Sequence, residues 1–307
     1  MKMAGLRKKW RLGLIAVLGL AAIGALLHAS RTNVPSYQGR ALNQWLSDIE
    51  NANDDRAAES AKNAVRQIGT NAIPYLLDMM RAEDSKLKET LTALLARLHI
   101  YRIRIADASG KHLRASIAFE ALGPQASSAI PELKALLNNP KTVRCAAVAL
   151  VYINPDGVEA AATGLQSTNA LVRRETTGVL GLLGLVRFTT NASSARLELL
   201  RTQTDIAPLV HALSDPDELT RARAATALGL LGLKPDITVP ALMRNLAETN
   251  GWRVPASAAK GLGRFGTNAA TALPALKATA GHQDSRVREA VNSAIEAIES
   301  QSAPRLE

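Results

Sequence analysis

Two pairs of aspartates have the residue types of acid–base machinery: Asp54 and Asp55 in NANDDRAA, and Asp215 and Asp217 in SDPDE. A general acid and a general base need two carboxyl groups held across a cleft in different environments. Both pairs instead stand directly before helical runs. A carboxylate there faces the positive end of the peptide dipoles and accepts from free backbone N–H groups. They are therefore read as helix starts, and NPDG at 154–157 as turn chemistry. The single cysteine, Cys145 in VRCAAVAL, reads as a small buried apolar residue and rules out an intramolecular disulfide. His28, His99, His112, His211 and His282 fall in no metal-ligating spacing. No nucleophile stands beside a base. The chain is read as a non-enzyme that needs neither metal nor cofactor.

A second kind of chemistry lies between residues 86 and 114. Seven cationic side chains (Lys86, Lys88, Arg97, Arg102, Arg104, Lys111 and Arg114) face two acids, Glu89 and Asp107. Arg97, Arg102, Arg104, Lys111 and Arg114 are the candidate contacts for an anionic partner. That partner would be an acidic protein surface, lipid headgroups or an envelope polymer. Tyr101 is the one aromatic nearby, which gives base stacking little support and makes nucleic acid the less favoured occupant. The competing reading is a solvated linker with snorkelling basic chains.

The elements that must position these groups are helices. Hydrophobic residues make up 47% of the 307, yet aromatics only 3%, so alanine and leucine carry the core. That composition suits closely packed helices, and alternating β-branched runs for a sheet are lacking. The net charge of +10 is unevenly spread. Lys2, Arg7, Lys8, Lys9 and Arg11 precede an apolar run of 16 residues from Leu12 to Leu27. Without residues 1–29 there remain 32 basic and 27 acidic residues, half the original excess. The basic start and apolar run predict either an uncleaved single-pass anchor over 10–28 or a signal peptide cleaved near Ala29. Either places the remainder outside the cytoplasm, in a bacterial cell envelope. A polar linker is expected at 30–39 and a capping helix at 40–54. In that helix Trp45 covers the apolar end of the first repeat.

From residue 55 to 300 one template recurs. Gly123 and Pro131, Gly232 and Pro240, and Gly266 and Pro274 are each eight apart, and Gly69 with Pro74 is a shortened copy. Each glycine is expected to end a helix, and each proline to open the next one in its first turn. Arg173, Arg221 and Arg288 each precede an apolar residue by seven, while Pro255 fills that slot in a fourth copy. The turns at Gly69, Gly123, Asn154, Gly184, Gly232 and Gly266 give a unit of about 30–34 residues. An extra helix fits at 84–99, and an insertion falls at 187–203. Six full or degenerate repeats and a terminal half at 284–299 follow, then a polar tail at 301–307.

The Val-Arg or Thr-Arg pair, the two alanines, the Leu-Gly ending and the Pro-x-Leu start resemble the HEAT family. They are closest to its short PBS-lyase-like repeats, and best seen at 217–248 and 284–299. The resemblance implies an all-α solenoid of about six to seven stacked helix-turn-helix units behind the N-terminal membrane or signal helix. It also implies that the three arginines pair with aspartates of adjacent repeats. The expected function is a non-enzymatic scaffold for an unknown protein partner at the outer side of the cytoplasmic membrane. Two alternatives stay open. One is a nucleic-acid binder or DNA-glycosylase-like protein using 86–114, and the other is a bilin lyase-like protein.

Overall fold

The computed structural model describes residues 34–84, 86, 97, 107–188 and 202–302. The leader at 1–29, most of the proposed helix at 84–99 and most of the insertion at 187–203 lie outside the described residues. The chain divides into two compact units, Met1–Tyr75 and Leu76–Glu307.

In the first unit the end of the expected linker forms part of a small hairpin. Strands β1 (Ser36–Tyr37) and β2 (Arg40–Ala41) pair antiparallel, Ser36 opposite Ala41 and Tyr37 opposite Arg40. Gln38 and Gly39 turn the chain with φ of 50° and 73°. A two-residue turn with both residues left-handed matches the twist of paired strands. Helix α1 (Leu42–Glu50) follows at once and is shorter than the expected 40–54. Its first N–H, on Leu42, donates to the Pro35 carbonyl at 2.8 Å. Leu42 and Leu46 are buried against α2 (Asp55–Ile68). Asp54 caps α2 by accepting from the Ala57 N–H at 2.7 Å. The α2 stripe Ala61, Ala64, Val65 and Ile68 is buried at helical spacing. Trp45 is half-buried, with the Arg40 guanidinium 3.9 Å from its ring centre. Helix α3 (Ile73–Met80) carries Pro74 at its second position.

The second unit alternates long and short helices. The first layer consists of α4 (Ala108–Leu122), α6 (Val143–Ile153), α8 (Ala170–Leu182), α10 (Glu218–Leu231), α12 (Arg253–Arg264) and α14 (Ser285–Ser302). The second layer consists of α5 (Ile130–Leu136), α7 (Pro155–Ala162), α9 (Ala207–Ala212), α11 (Pro235–Leu246) and α13 (Leu273–Thr279). Side chains cap several helix starts. Asp107, Asn154 and Asp217 accept from the N–H three residues on, and Asn169 from the N–H two residues on, all at 2.9 Å. Thus NPDG opens a helix through Asn154. Gly123, Gly232 and Gly266 follow first-layer helices with φ between 53° and 62°, a region that disfavours residues with a Cβ. Pro131 and Pro274 are the second residues of α5 and α13.

Two landmarks take other roles. Pro240 lies inside α11, which begins at Pro235. Lys234, with φ of 44°, redirects the chain early, so residues 235–239 are α-helical. In the repeats at 123 and 266 the matching stretch is a 3₁₀ turn. Gly184 is absent from the positive-φ glycines and instead permits a close approach. A Cβ there would lie 2.3 Å from the Leu230 carbonyl carbon.

From α8 to α14 the first-layer helices touch through one recurring position. A Cβ on Gly181 would meet Ala227 Cβ at 3.0 Å, one on Gly229 the Gly261 Cα at 2.5 Å, and one on Gly263 the Ala294 Cα at 3.0 Å. The glycines stand eight residues after Arg173, Arg221 and Pro255 respectively. Second-layer helices make far fewer contacts with one another. They instead bury apolar side chains against the first layer, as Leu242 and Leu246 do against α10 and α12. Each fully buried leucine contributes about 1.5–3 kcal/mol.

Candidate partner-binding surface

The arginines and acids of the repeat loops form ties between repeats. Arg173 Nη1 donates to the carbonyls of Ser167 (2.9 Å) and Thr168 (3.1 Å), while Nε and Nη2 grip Asp215 at 2.7 and 2.9 Å. Arg221 repeats the arrangement. Nη1 donates to Asp215 O (2.8 Å) and Pro216 O (3.2 Å), and the far side of the guanidinium pairs with Glu248. Arg288 Nη1 donates to His282 O and Gln283 O, both at 2.8 Å. In all three the carbonyls lie five and six residues upstream. Each arginine thus braces the loop before its own helix. Arg173 and Arg221 also bind a carboxylate from the following repeat, in the forked geometry that suits guanidinium. The second acid is a glutamate, and Arg288 sits on α14, the last described helix.

The aspartate pair at 215 and 217 is therefore committed to structure. Asp217 caps α10 and accepts from Arg174 Nε at 2.6 Å. The Arg174 guanidinium, followed by the Thr220 amide and hydroxyl, holds its carboxyl below the usual aspartate range. Asp215 also accepts from the Asp217 N–H at 2.8 Å. Cys145 is half-buried, and burial pushes its thiol pKa up, so it rests protonated. Among the described residues no group of three His, Cys, Asp or Glu side chains is placed to hold a metal ion. None of the described helices is long and apolar enough to cross a membrane.

Of the cationic candidates, Arg97 is exposed, Lys111 is exposed in the first turn of α4, and Arg114 is half-buried one turn on. Arg102 and Arg104 lie outside the described residues. Near Lys111, a cavity of about 440 Å³ is lined by Asp84, His112, Lys141 and Thr142 among others. His112 is 3% exposed, its Nε2 2.9 Å from the Ala82 carbonyl. Asp84 accepts from the Ala108 N–H at 3.1 Å. These contacts hold the start of α4.

A second surface is visible only in three dimensions. On α10 Leu219, Arg223, Thr226 and Leu230 are left partly open in one stripe opposite the second layer, and the other partly open residues are Glu218, paired with Arg253, and Arg221 in its tie. The matching stripes give two rows across α6, α8, α10 and α12. One row is Val148, Gly178, Thr226 and Lys260. The other is Tyr152, Leu182, Leu230 and Arg264. Between α8 and α10 lies a groove of about 250 Å³, walled by Arg144 and Arg223 and reaching Leu182 and Leu230. Gly178 leaves room for Arg223, whose Nη1 would be 3.5 Å from a Cβ there. That nitrogen donates to the Arg174 carbonyl (2.7 Å) and Glu175 (2.8 Å). Arg144, 69% exposed, reaches the other Glu175 oxygen at 3.2 Å. Burial alone would raise the Glu175 pKa, but hydrogen bonds from Arg223 and Arg144 hold it below the ordinary value. Burial, and then Glu120, raises that of Tyr152. These residues are scattered in the chain. The signal that finds them is the outward column of each first-layer helix once the copies are aligned on Arg173 and Arg221.

Fold and surface together define a helical-repeat solenoid whose loops are spent on stacking and whose first layer leaves a mixed apolar and cationic face. Residues 206–296 match the HEAT repeats family, and that stretch holds α9 through most of α14. Solved structures similar to this chain include an engineered protein, at 18% identity over 85% of this chain and 97% of that one, with a TM-score of 0.43. Another is human deoxyhypusine hydroxylase in complex with glycerol (18% identity, 84% and 96% covered, TM-score 0.30). A third is a designed armadillo repeat protein in complex with the peptide (KR)4 (16% identity, 84% and 99% covered, TM-score 0.32). No curated protein sequence matches the chain.

Proposed function

We propose that this chain is a non-enzymatic HEAT-type scaffold that binds a protein partner at the outer side of the bacterial cytoplasmic membrane. One observation carries the binding role. The acids that could have done chemistry at the repeat loops, Asp215, Asp217 and Glu248, are held by Arg173, Arg174 and Arg221, while the first layer keeps an open face. Stacked repeats extend such a face by a sum of neighbour interfaces, which suits binding a partner over a length. The location rests on the basic start and the apolar run Leu12–Leu27. Arg97, Arg102, Arg104, Lys111 and Arg114 are proposed as a further contact region for an anionic surface on the partner.

The test is topology. The full chain carries a C-terminal tag, protease is added outside intact cytoplasmic membranes, and the mass is recorded. The expected result is digestion of the tag, with the mass separating an anchored chain from a cleaved one. A protected tag would refute the location. Binding to a duplex DNA of arbitrary sequence is expected to be weak and shallow in salt dependence. A steep slope would favour a nucleic-acid role instead.

A further inference from the structure

We infer that the open face of the first layer, over α6, α8, α10 and α12, is the docking face, and that its occupant is an acidic amphipathic helix of another protein. The inference rests on the scaffold reading and gives it a face and a partner chemistry. The row Tyr152, Leu182 and Leu230 is half-buried and apolar, and it ends on Arg264. The parallel row ends on Lys260, and among the described residues neither cation makes an ion pair. Packed helices stand about 8–10 Å apart, so each row offers a side chain at roughly that interval. A helix advances about 10.5 Å in seven residues. A partner helix lying across the layer with a leucine every seventh residue would place successive leucines over Tyr152, Leu182 and Leu230. Carboxylates in the following heptad would then reach Lys260 and Arg264.

The charge of the groove has the same sign. Arg144 and Arg223 share a single carboxylate, Glu175, so one positive charge is left at the wall. Arg144 points most of its surface at solvent. A carboxylate entering there would gain a charge-assisted hydrogen bond. The second layer exposes Ile237 as well, but among charges that do not share one sign. It presents Glu132, Lys134, Asp156, Glu159 and Arg244, of mixed sign. An apolar helix face seated in a groove is an established way of recognising a partner, and here the basic end sets direction as well as sign.

The experiment uses the full chain in non-ionic detergent and three fluorescein-labelled peptides followed by anisotropy. The first is a three-heptad amphipathic helix with leucine every seventh residue and glutamates in the last heptad. The second replaces those glutamates with lysine, and the third replaces the leucines with serine. The first is expected to bind, and the other two to bind at least tenfold more weakly. The double variant Lys260→Glu, Arg264→Glu should weaken the first peptide at least tenfold and strengthen the second. Arg244→Glu, on the second layer, should change neither. All three substituted side chains are exposed, and equal melting temperatures would verify folding. Equal binding of the three peptides, or no binding of the first, overturns the inference. Loss of binding in Arg244→Glu but not in the double variant overturns the face while leaving the scaffold reading intact.

Discussion

The Cα of Gly261 occupies the space a side chain on Gly229 would need, with only 2.5 Å to an added Cβ. The same contact recurs from Gly181 to Ala227 and from Gly263 to Ala294. Backbone therefore rests on near-backbone from α8 to α14. Gly229→Ala must push α10 and α12 apart, and it should cost about 1–3 kcal/mol. Gly281→Ala meets nothing within 4 Å and should stay within about 0.5 kcal/mol of the parent. Chemical denaturation of the two variants gives the comparison, and equal stability would refute the close approach.

Arg173 and Asp215 have side chains only 12% and 8% exposed. Removing one partner of a buried ion pair strands the other charge, at a cost of about 3–5 kcal/mol. Arg173→Ala should therefore lower the melting temperature markedly. Arg288→Ala loses hydrogen bonds to two carbonyls but no carboxylate, so its effect should be smaller. Arg221→Ala should fall with Arg173→Ala and should lower the melting temperature more than it lowers partner binding. An effect on binding alone would contradict the structural role.

Pro240 and Pro131 should respond in opposite directions to alanine. Pro240 lies inside α11, where it leaves the Asp236 carbonyl without the N–H of a regular helix. Pro240→Ala restores that donor and should raise stability by about 1 kcal/mol, even after the loss of proline's restraint on the unfolded chain. Pro131 stands in a first turn, where no donor is missed. Pro131→Ala should lower stability by about 0.4–1 kcal/mol. Thermal melts of both variants decide the sign.

Acid should loosen the loop ties. Asp217 is held below the usual aspartate range by Arg174, and Asp284 is lowered to about 2 by Arg286. Both bind a proton more weakly folded than unfolded, so the unfolded chain takes up protons first as pH falls. Their stabilisation is complete above the unfolded value of about 4 and is lost as pH drops through the folded values. Urea midpoints should decline from about pH 4 towards pH 2. Asp217→Asn should flatten that decline, and an unchanged slope would contradict the assignment.

Much of the fold is legible in the chain because its punctuation is local. A glycine that must turn with positive φ and a proline eight residues on are enough to place Gly123 with Pro131 and Gly266 with Pro274. Asp54 and Asp217 are legible as caps for the same reason. The hairpin at 36–41 is not, since two residues per strand carry no alternation. Pro240 misleads because Lys234, a residue with no turn signature, starts the helix early. Gly184 misleads because its reason is the backbone of Leu230, 46 residues away in the chain. Glu248 as the partner of Arg221, and the rows ending at Lys260 and Arg264, depend on how repeats stack, and the linear spacing of one copy does not contain that.

Docking of a protein on the first layer can be read directly in the cell. A photo-reactive residue placed at Thr226 on that layer, and at Arg244 on the second layer as the control, can be activated in intact cells expressing the full chain. The expected result is a discrete heavier adduct from position 226, resistant to nuclease and removed by protease, and none from position 244. A nuclease-sensitive adduct, an adduct from position 244 alone, or no adduct from either would contradict it.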